Sequence, residues 1–342
     1  MSYLIDVYRR DKPPMKNIVD YSLYILFFPQ LIAGPIIRFN EIADQITERR
    51  HQETIDNKLT GFFRFVIGLS KKVLIANVLG EEADRIFAMN YEYMDSLTAF
   101  VGITAYAFQI YFDFSGYSDM AIGIARMLGF VFPENFNNPY ISQSITEFWR
   151  RWHMTLSRWM RDYLYIPLGG NKLGTRRMFV NLWVVFLLSG LWHGASWNFV
   201  AWGTYHGLFL IADRLFLLKL LKKTGKYPAI VITFIITLVG WAFFRIDSIA
   251  QATVFISRLF AFEFTGVTLF LDARFWTTLA LAALFAFSTA TNAGAKVEGF
   301  VYATNHSLKG YYFMTLLAVL LFTMSLAHVT SSGFNPFIYF RF

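Results

Sequence analysis

The residue best placed for chemistry is the histidine of Ser189-Gly190-Leu191-Trp192-His193-Gly194-Ala195-Ser196-Trp197, which closes an apolar run that opens just after Arg177. As a helix that run covers about 22 Å of a roughly 30 Å hydrocarbon layer, so the imidazole falls within the thickness of a membrane. A histidine at such depth is costly unless it has a partner or a cavity. Its neutral-range pKa makes it a natural general base for a hydroxyl group. Gly190 and Gly194 flank it and leave room for a neighbouring helix or a substrate. Position alone leaves two readings open, a general base and a histidine that hydrogen-bonds the next helix.

His153 stands in Glu147-Phe148-Trp149-Arg150-Arg151-Trp152-His153-Met154-Thr155-Leu156-Ser157. In an unbroken helix, Arg150, His153 and Ser157 share one polar face amid aromatics. The ring is either a headgroup contact of a snorkelling helix or a second functional imidazole that binds or orients an acyl donor. In Gln109-Ile110-Tyr111-Phe112-Asp113-Phe114-Ser115-Gly116-Tyr117-Ser118-Asp119, two carboxylates sit inside an aromatic-rich helix. Pairing with Arg126 or Arg150 is the simpler account of Asp113 and Asp119, and it is compatible with a carboxylate that orients a histidine. His206 reads as packing or as a support behind the site residues. His51, His306 and His328 have no polar company.

The absence of cysteine excludes disulfides, zinc-thiolate sites and a thiol nucleophile. No glycine-rich phosphate loop, HExxH or GxSxG motif is present, so the sequence offers neither a metal site nor a nucleotide or nucleic-acid site. No permanently bound cofactor is expected.

The elements that carry these residues are apolar and long. With 56% hydrophobic and 19% aromatic residues and a mean hydropathy of +0.42, the 342-residue chain lies outside the soluble range. Abundant Trp and Tyr suit repeated crossings of the headgroup zone. Spans are expected at 178–192, 197–216, 227–244, 275–293 and 311–328. Two less regular segments are expected to be kinked or partly buried: 21–37, broken by Pro29, Gly34 and Pro35, and 62–79, which carries Lys71-Lys72. The run 97–130 holds Asp113, Asp119 and Arg126, so part of it must face protein or water. The stretch 145–165 is too charged to span and reads as a helix that lies in the interface or re-enters from it.

The net charge of +8 resides in clusters between apolar runs. Lys172, Arg176 and Arg177 form one, and Lys219, Lys222, Lys223 and Lys226 another. They read as topology signals facing anionic lipid rather than nucleic acid, and place both clusters in the cytoplasm. Nothing at the start reads as a signal peptide, and the polar stretch Asp6 to Lys16, with Pro13-Pro14, has the composition of a loop. No internal repeat or linker divides residues 1–342, which are expected to form a single all-α domain, a polytopic transmembrane helical bundle.

Four motifs in order, Phe28-Pro29-Gln30-Leu31-Ile32-Ala33-Gly34-Pro35, Tyr111 to Asp119, Phe148 to Ser157 and Gly190-Leu191-Trp192-His193-Gly194, resemble the membrane-bound O-acyltransferase family. The ending Asn335-Pro336-Phe337-Ile338-Tyr339-Phe340 is similar to its alginate O-acetyltransferase branch. The resemblance implies a ring of helices around a thinned centre, crossed by a tunnel. Through it an acetyl group passes from a cytoplasmic donor, acetyl-coenzyme A or another acyl thioester, toward an outer acceptor. It implies that His193 is the family's essential histidine, that His153 is the histidine following the paired arginines, and that Asp113 belongs to the aspartate-bearing helix. It further implies a bacterial cytoplasmic membrane, a periplasmic acetyl-accepting protein or polysaccharide acceptor, and a chain lacking several hydrophobic helices that full-length relatives carry before Ser2.

The leading expectation is therefore O-acetylation of an extracellular polysaccharide such as alginate, with His193 as general base. Acyl or D-alanyl transfer to peptidoglycan, teichoic acid or another surface polymer is the rival within the family. A transporter or channel lined by Asp113, Asp119 and the histidines is the rival from another class.

Overall fold

The computed structural model describes residues 1–31, 34–264 and 271–331, and all regular structure among them is helical. The expected all-α bundle is what forms. Its axis is the helix Ser96–Met127, whose first turn is capped by the Asp95 carboxylate accepting the Thr98 N–H at 2.7 Å. This helix is apolar on every side and correspondingly buried, with 78% of its most apolar window inside the protein.

The helix Ile55–Ser70 packs against it through two reciprocal glycine pairs. A Cβ on Gly68 would come within 2.5 Å of the Gly116 carbonyl oxygen, and one on Gly116 within 2.7 Å of the Gly68 carbonyl; Gly61 and Gly123 repeat the arrangement at 2.7 and 2.6 Å. Backbones this close exclude any side chain, which is how helices associate where lipid is as apolar as leucine. Beyond Ser70 the chain continues through a π-helical turn, Lys71–Ala76, into Asn77–Phe87. The irregularity anticipated for 62–79 is this turn, and it carries the two lysines toward the central helix.

Thr175–His193 and Trp197–Ala212 form a hairpin, and Lys226–Arg245 packs beside it, with the Tyr205 hydroxyl donating to the Ile236 carbonyl at 2.8 Å. By length and composition, four helices among the described residues can cross a membrane: Ser96–Met127, Lys226–Arg245, Ala273–Ala290 and Leu308–Ser331. The last buries only 17% of its window and turns Leu316, Val319 and Leu320 outward, as a lipid-facing helix does. Lys226 donates to the Ala290 carbonyl, so the basic clusters and the end of Ala273–Ala290 share one end of the bundle. Ser96, hydrogen-bonded to the Arg258 carbonyl, lies at the other.

The segment 145–165 departs from expectation. It forms two short helices, Ile145–Arg151 and Met154–Met160, followed by a π-helical turn at Arg161–Tyr165. Trp152 is extended and His153 adopts the left-handed conformation at φ 43°, so Arg150, His153 and Ser157 do not share a helical face. The aromatic side chains enter the protein instead of lining its surface: Phe148 and Trp152 are buried, and Trp152 packs on Trp241 at 4.8 Å between ring centres.

Candidate active site

His193 is the last residue of its helix, as expected from the run that leads to it. Its half-buried ring is held by aromatic edges, with Trp202 at 5.2 Å, Phe244 at 5.1 Å and Trp192 at 4.9 Å between centres. No hydrogen bond to the ring is formed among the described residues, so the bond to a neighbouring helix foreseen as the alternative is not made there. The space opened by Gly190 and Gly194 is taken by the return helix: a Cβ at Gly190 would strike the Phe199 carbonyl, and one at Gly194 the Phe199 ring at 2.5 Å.

His153 is buried, with its Nδ1 2.9 Å from the Asn135 side-chain oxygen and its ring edge-on to Phe114 at 4.8 Å. It lies within electrostatic reach of His193. A continuous aromatic wall joins the two: Trp149 meets Trp202 at 5.5 Å, and Trp152, Trp241 and Phe244 follow one another toward His193. Headgroup contact, the alternative for His153, is incompatible with this burial.

Asp113 is paired with Lys72 at 2.7 Å, and Lys72 also donates to Asn77. Asp119 accepts from Lys71 at 2.6 Å, from Arg64 at 2.9 Å and from the Tyr302 hydroxyl at 3.0 Å. Both carboxylates are thus neutralised by buried pairing, but not through Arg126 or Arg150, neither of which forms an ion pair among the described residues. The partners come from Ile55–Ser70 and the π turn because that helix faces the central one directly, whereas Arg126 lies at its far end. His206 is buried against Trp149, Trp202 and Tyr205, in keeping with a packing role.

A cavity of about 360 Å³ opens beside this charge cluster. Arg64, Lys71, Asp119, Glu298 and Tyr302 line one side, and Asn135 and Met154, the neighbours of His153, line the other. Its size suits a small ligand or an extended chain. The sequence did not single out Asn135. Its only local signal is the polar run Glu134-Asn135-Phe136-Asn137-Asn138-Pro139, which reads as a turn. Arg64 and Tyr302 were missed as well, although two unpaired carboxylates in an apolar helix demand cations from somewhere.

Two imidazoles lie along one aromatic wall, one of them buried beside Asn135 and next to Met154, which line the polar cavity, and each ring can take up and return a proton. The family is decided by comparison of the chain with known proteins: the sequence profile of the membrane-bound O-acyltransferase family matches residues 9–249. This chain belongs to that family. It is 40% identical over 372 residues to a protein of Azotobacter vinelandii named as a probable alginate O-acetylase, an alignment covering all of this chain and 73% of that one. It is 43% identical over 242 residues to the peptidoglycan O-acetyltransferase of Helicobacter pylori, covering 70% of this chain and 46% of that one. Similarity extends to the teichoic acid D-alanyltransferase of Bacillus subtilis, at 33% over 240 residues, covering 65% and 60% of the two chains. The chain is accordingly a membrane O-acyltransferase, an O-acetyltransferase, which takes an acyl donor and a polymer acceptor. Of the motifs that carry the resemblance, Ile32, Ala33 and the ending 335–340 lie outside the described residues.

Proposed function

We propose that this O-acetyltransferase works in the bacterial cytoplasmic membrane. It moves an acetyl group from a cytoplasmic thioester, acetyl-coenzyme A or an acyl carrier, to a hydroxyl acceptor on the outer side. The acceptor is a polysaccharide such as alginate or a periplasmic protein that hands the group on to it. The observation that carries the reading is the setting of His193: a half-buried imidazole without a protein hydrogen bond among the described residues, at the end of its helix opposite the basic clusters. By the positive-inside rule that end faces the outer side.

In this mechanism a ring nitrogen of His193 takes the proton of the acceptor hydroxyl as its oxygen attacks the acetyl carbonyl. The new C–O bond forms, the thioester C–S bond breaks, and the thiolate leaves as the free thiol once it has regained a proton. The aromatic wall excludes water, which would otherwise compete as the acceptor. The cavity beside His153 lies toward the basic end and is a fitting entrance for the donor. Asp113 supports the site through its pairing with Lys72, which holds the central helix in register beneath His153.

Similarity to the Helicobacter and Bacillus enzymes favours a second reading, in which the acceptor is peptidoglycan or teichoic acid. Membranes containing the protein, given radiolabelled acetyl-coenzyme A, should release coenzyme A and label one acceptor among alginate, peptidoglycan and endogenous periplasmic protein. His193→Ala at equal membrane abundance should lower the transfer by about a hundredfold or more. Unchanged transfer in that variant would remove His193 as the base. Label on peptidoglycan alone would move the acceptor to the second reading.

A further inference from the structure

The loop that precedes the Ile145–Arg151 helix grips the His153 turn with an asymmetric set of hydrogen bonds. Asn135, 1% exposed, accepts on its backbone oxygen the Met154 N–H at 2.8 Å. Its side-chain oxygen lies 2.9 Å from His153 Nδ1, 2.8 Å from Thr155 Oγ1 and 3.4 Å from the Thr155 backbone nitrogen. Its amide nitrogen donates to Ser118 Oγ on the central helix at 3.0 Å.

These partners fix which end of the amide faces the ring. Thr155 Oγ1 already accepts the Ile36 N–H at 2.9 Å, so its own hydrogen is free to point at Asn135. The Thr155 backbone N–H can only donate. Turning the amide over would set its NH₂ against that N–H and leave the peptide group unsatisfied in a buried place. The oxygen therefore faces His153, and an oxygen facing Nδ1 requires a hydrogen on Nδ1. Nε2, which has no hydrogen bond among the described residues, keeps the lone pair.

We infer that Asn135 is a positioning residue: it locks the neutral His153 ring with its proton on Nδ1, so that Nε2 is the one ring atom able to take and return a proton. The lock explains why a histidine occupies the left-handed position at a helix start with no side-chain cap of its own. Four donors converge on Asn135 from Met154, Thr155 and His153, and its anchor on Ser118 ties the turn to the central helix. That this proton exchange serves turnover, as the source of the proton the leaving thiolate regains, rests on the acyl-transfer reading above. The placement of the proton does not.

The test pairs a direct readout with a kinetic one. In the full-length protein in lipid, with ¹⁵N-labelled histidine and His153 assigned by difference from His153→Gln, nitrogen NMR should show the Nδ1–H tautomer. Asn135→Ala should release it into a mixture and lower kcat for transfer from radiolabelled acetyl-coenzyme A by roughly a hundredfold at little change in KM. Asn135→Asp retains an acceptor at Nδ1 and serves where the alanine variant folds poorly. It should keep kcat within about tenfold while moving the acid limb of the pH profile to higher pH, because a carboxylate beside the ring favours the imidazolium. An Nε2–H ring in the parent, an unchanged tautomer in Asn135→Ala, or unchanged kinetics in both variants would each overturn the inference. Loss of all acetyl transfer in the parent, with the tautomer as expected, would instead remove the acyl-transfer reading and leave the lock standing.

Discussion

At the scale of single residues, the most consequential contacts are those of groups that have no business being in an apolar layer. Asp113 and Lys72 illustrate the cost. Both are largely buried and they neutralise one another at 2.7 Å, so removing either leaves an uncompensated charge. Asp113→Asn should destabilise the protein by about 3–5 kcal/mol, seen as a lower melting temperature in detergent. If the pair is structural, Asp113→Asn combined with Lys72→Met should recover much of that stability together with transfer activity. Recovery of stability without activity would assign Asp113 a direct part in the chemistry. The sequence made the carboxylates conspicuous but pointed to Arg126 or Arg150 as partners where Lys72, Lys71 and Arg64 serve, because helix neighbours across a bundle are not spaced in the chain. The place of His193 at the end of its helix was legible from the apolar run before it, whereas its role as base was an implication of the family resemblance. Asn135 was not, since an asparagine in a turn looks like any other until the turn is folded onto its histidine.

At the scale of elements, the expected spans 227–244, 275–293 and 311–328 were readable because length and hydropathy determine them, whereas 178–192 and 197–216 form helices that are not among the four described ones long and apolar enough to cross. The irregular 62–79 segment was readable from the lysines inside it. The break at Trp152-His153 was not. No glycine or proline marks it, and what holds it is the grip of residues 135–137 from upstream: the Asn135 carbonyl takes the Met154 N–H, and the Asn137 N–H reaches the Arg151 carbonyl at 2.9 Å. Local propensity favoured continuing the helix and tertiary hydrogen bonds overrode it. The glycine pairs make a sharper prediction. Gly68→Val places side-chain carbons where the Gly116 carbonyl now sits, so the Ile55–Ser70 helix must move away from the central one. The variant should lose about 1–3 kcal/mol of stability or more, whereas Gly299→Ala, which meets nothing within 4 Å inside the helix Asn292–Val301, should hold or slightly raise the melting temperature. Equal melting temperatures for the two variants would contradict the packing described.

At the scale of the whole molecule, charge and hydropathy orient the bundle, with lysines and arginines at one end and His193 toward the other. The natural absence of cysteine makes this directly measurable, because a single introduced thiol has no background. Lys222→Cys should react with a membrane-impermeant maleimide only in inside-out vesicles, and Ser196→Cys only in intact cells with a permeable outer membrane. The reverse pattern would invert the topology and with it the direction of transfer. The acceptor is the feature least legible at this scale, since helices and charge clusters that cross a bilayer look alike whichever polymer waits outside.

The central claim is that the His193 imidazole accepts the hydroxyl proton during acetyl transfer, and chemical rescue tests it most directly. His193→Ala leaves a ring-sized space beside Trp202 and Phe244, into which free imidazole can diffuse. In membranes supplied with radiolabelled acetyl-coenzyme A, added imidazole should restore a concentration-dependent part of the lost transfer, more strongly at pH values where imidazole is neutral. Transfer by His193→Ala at the parent rate without imidazole would contradict the account.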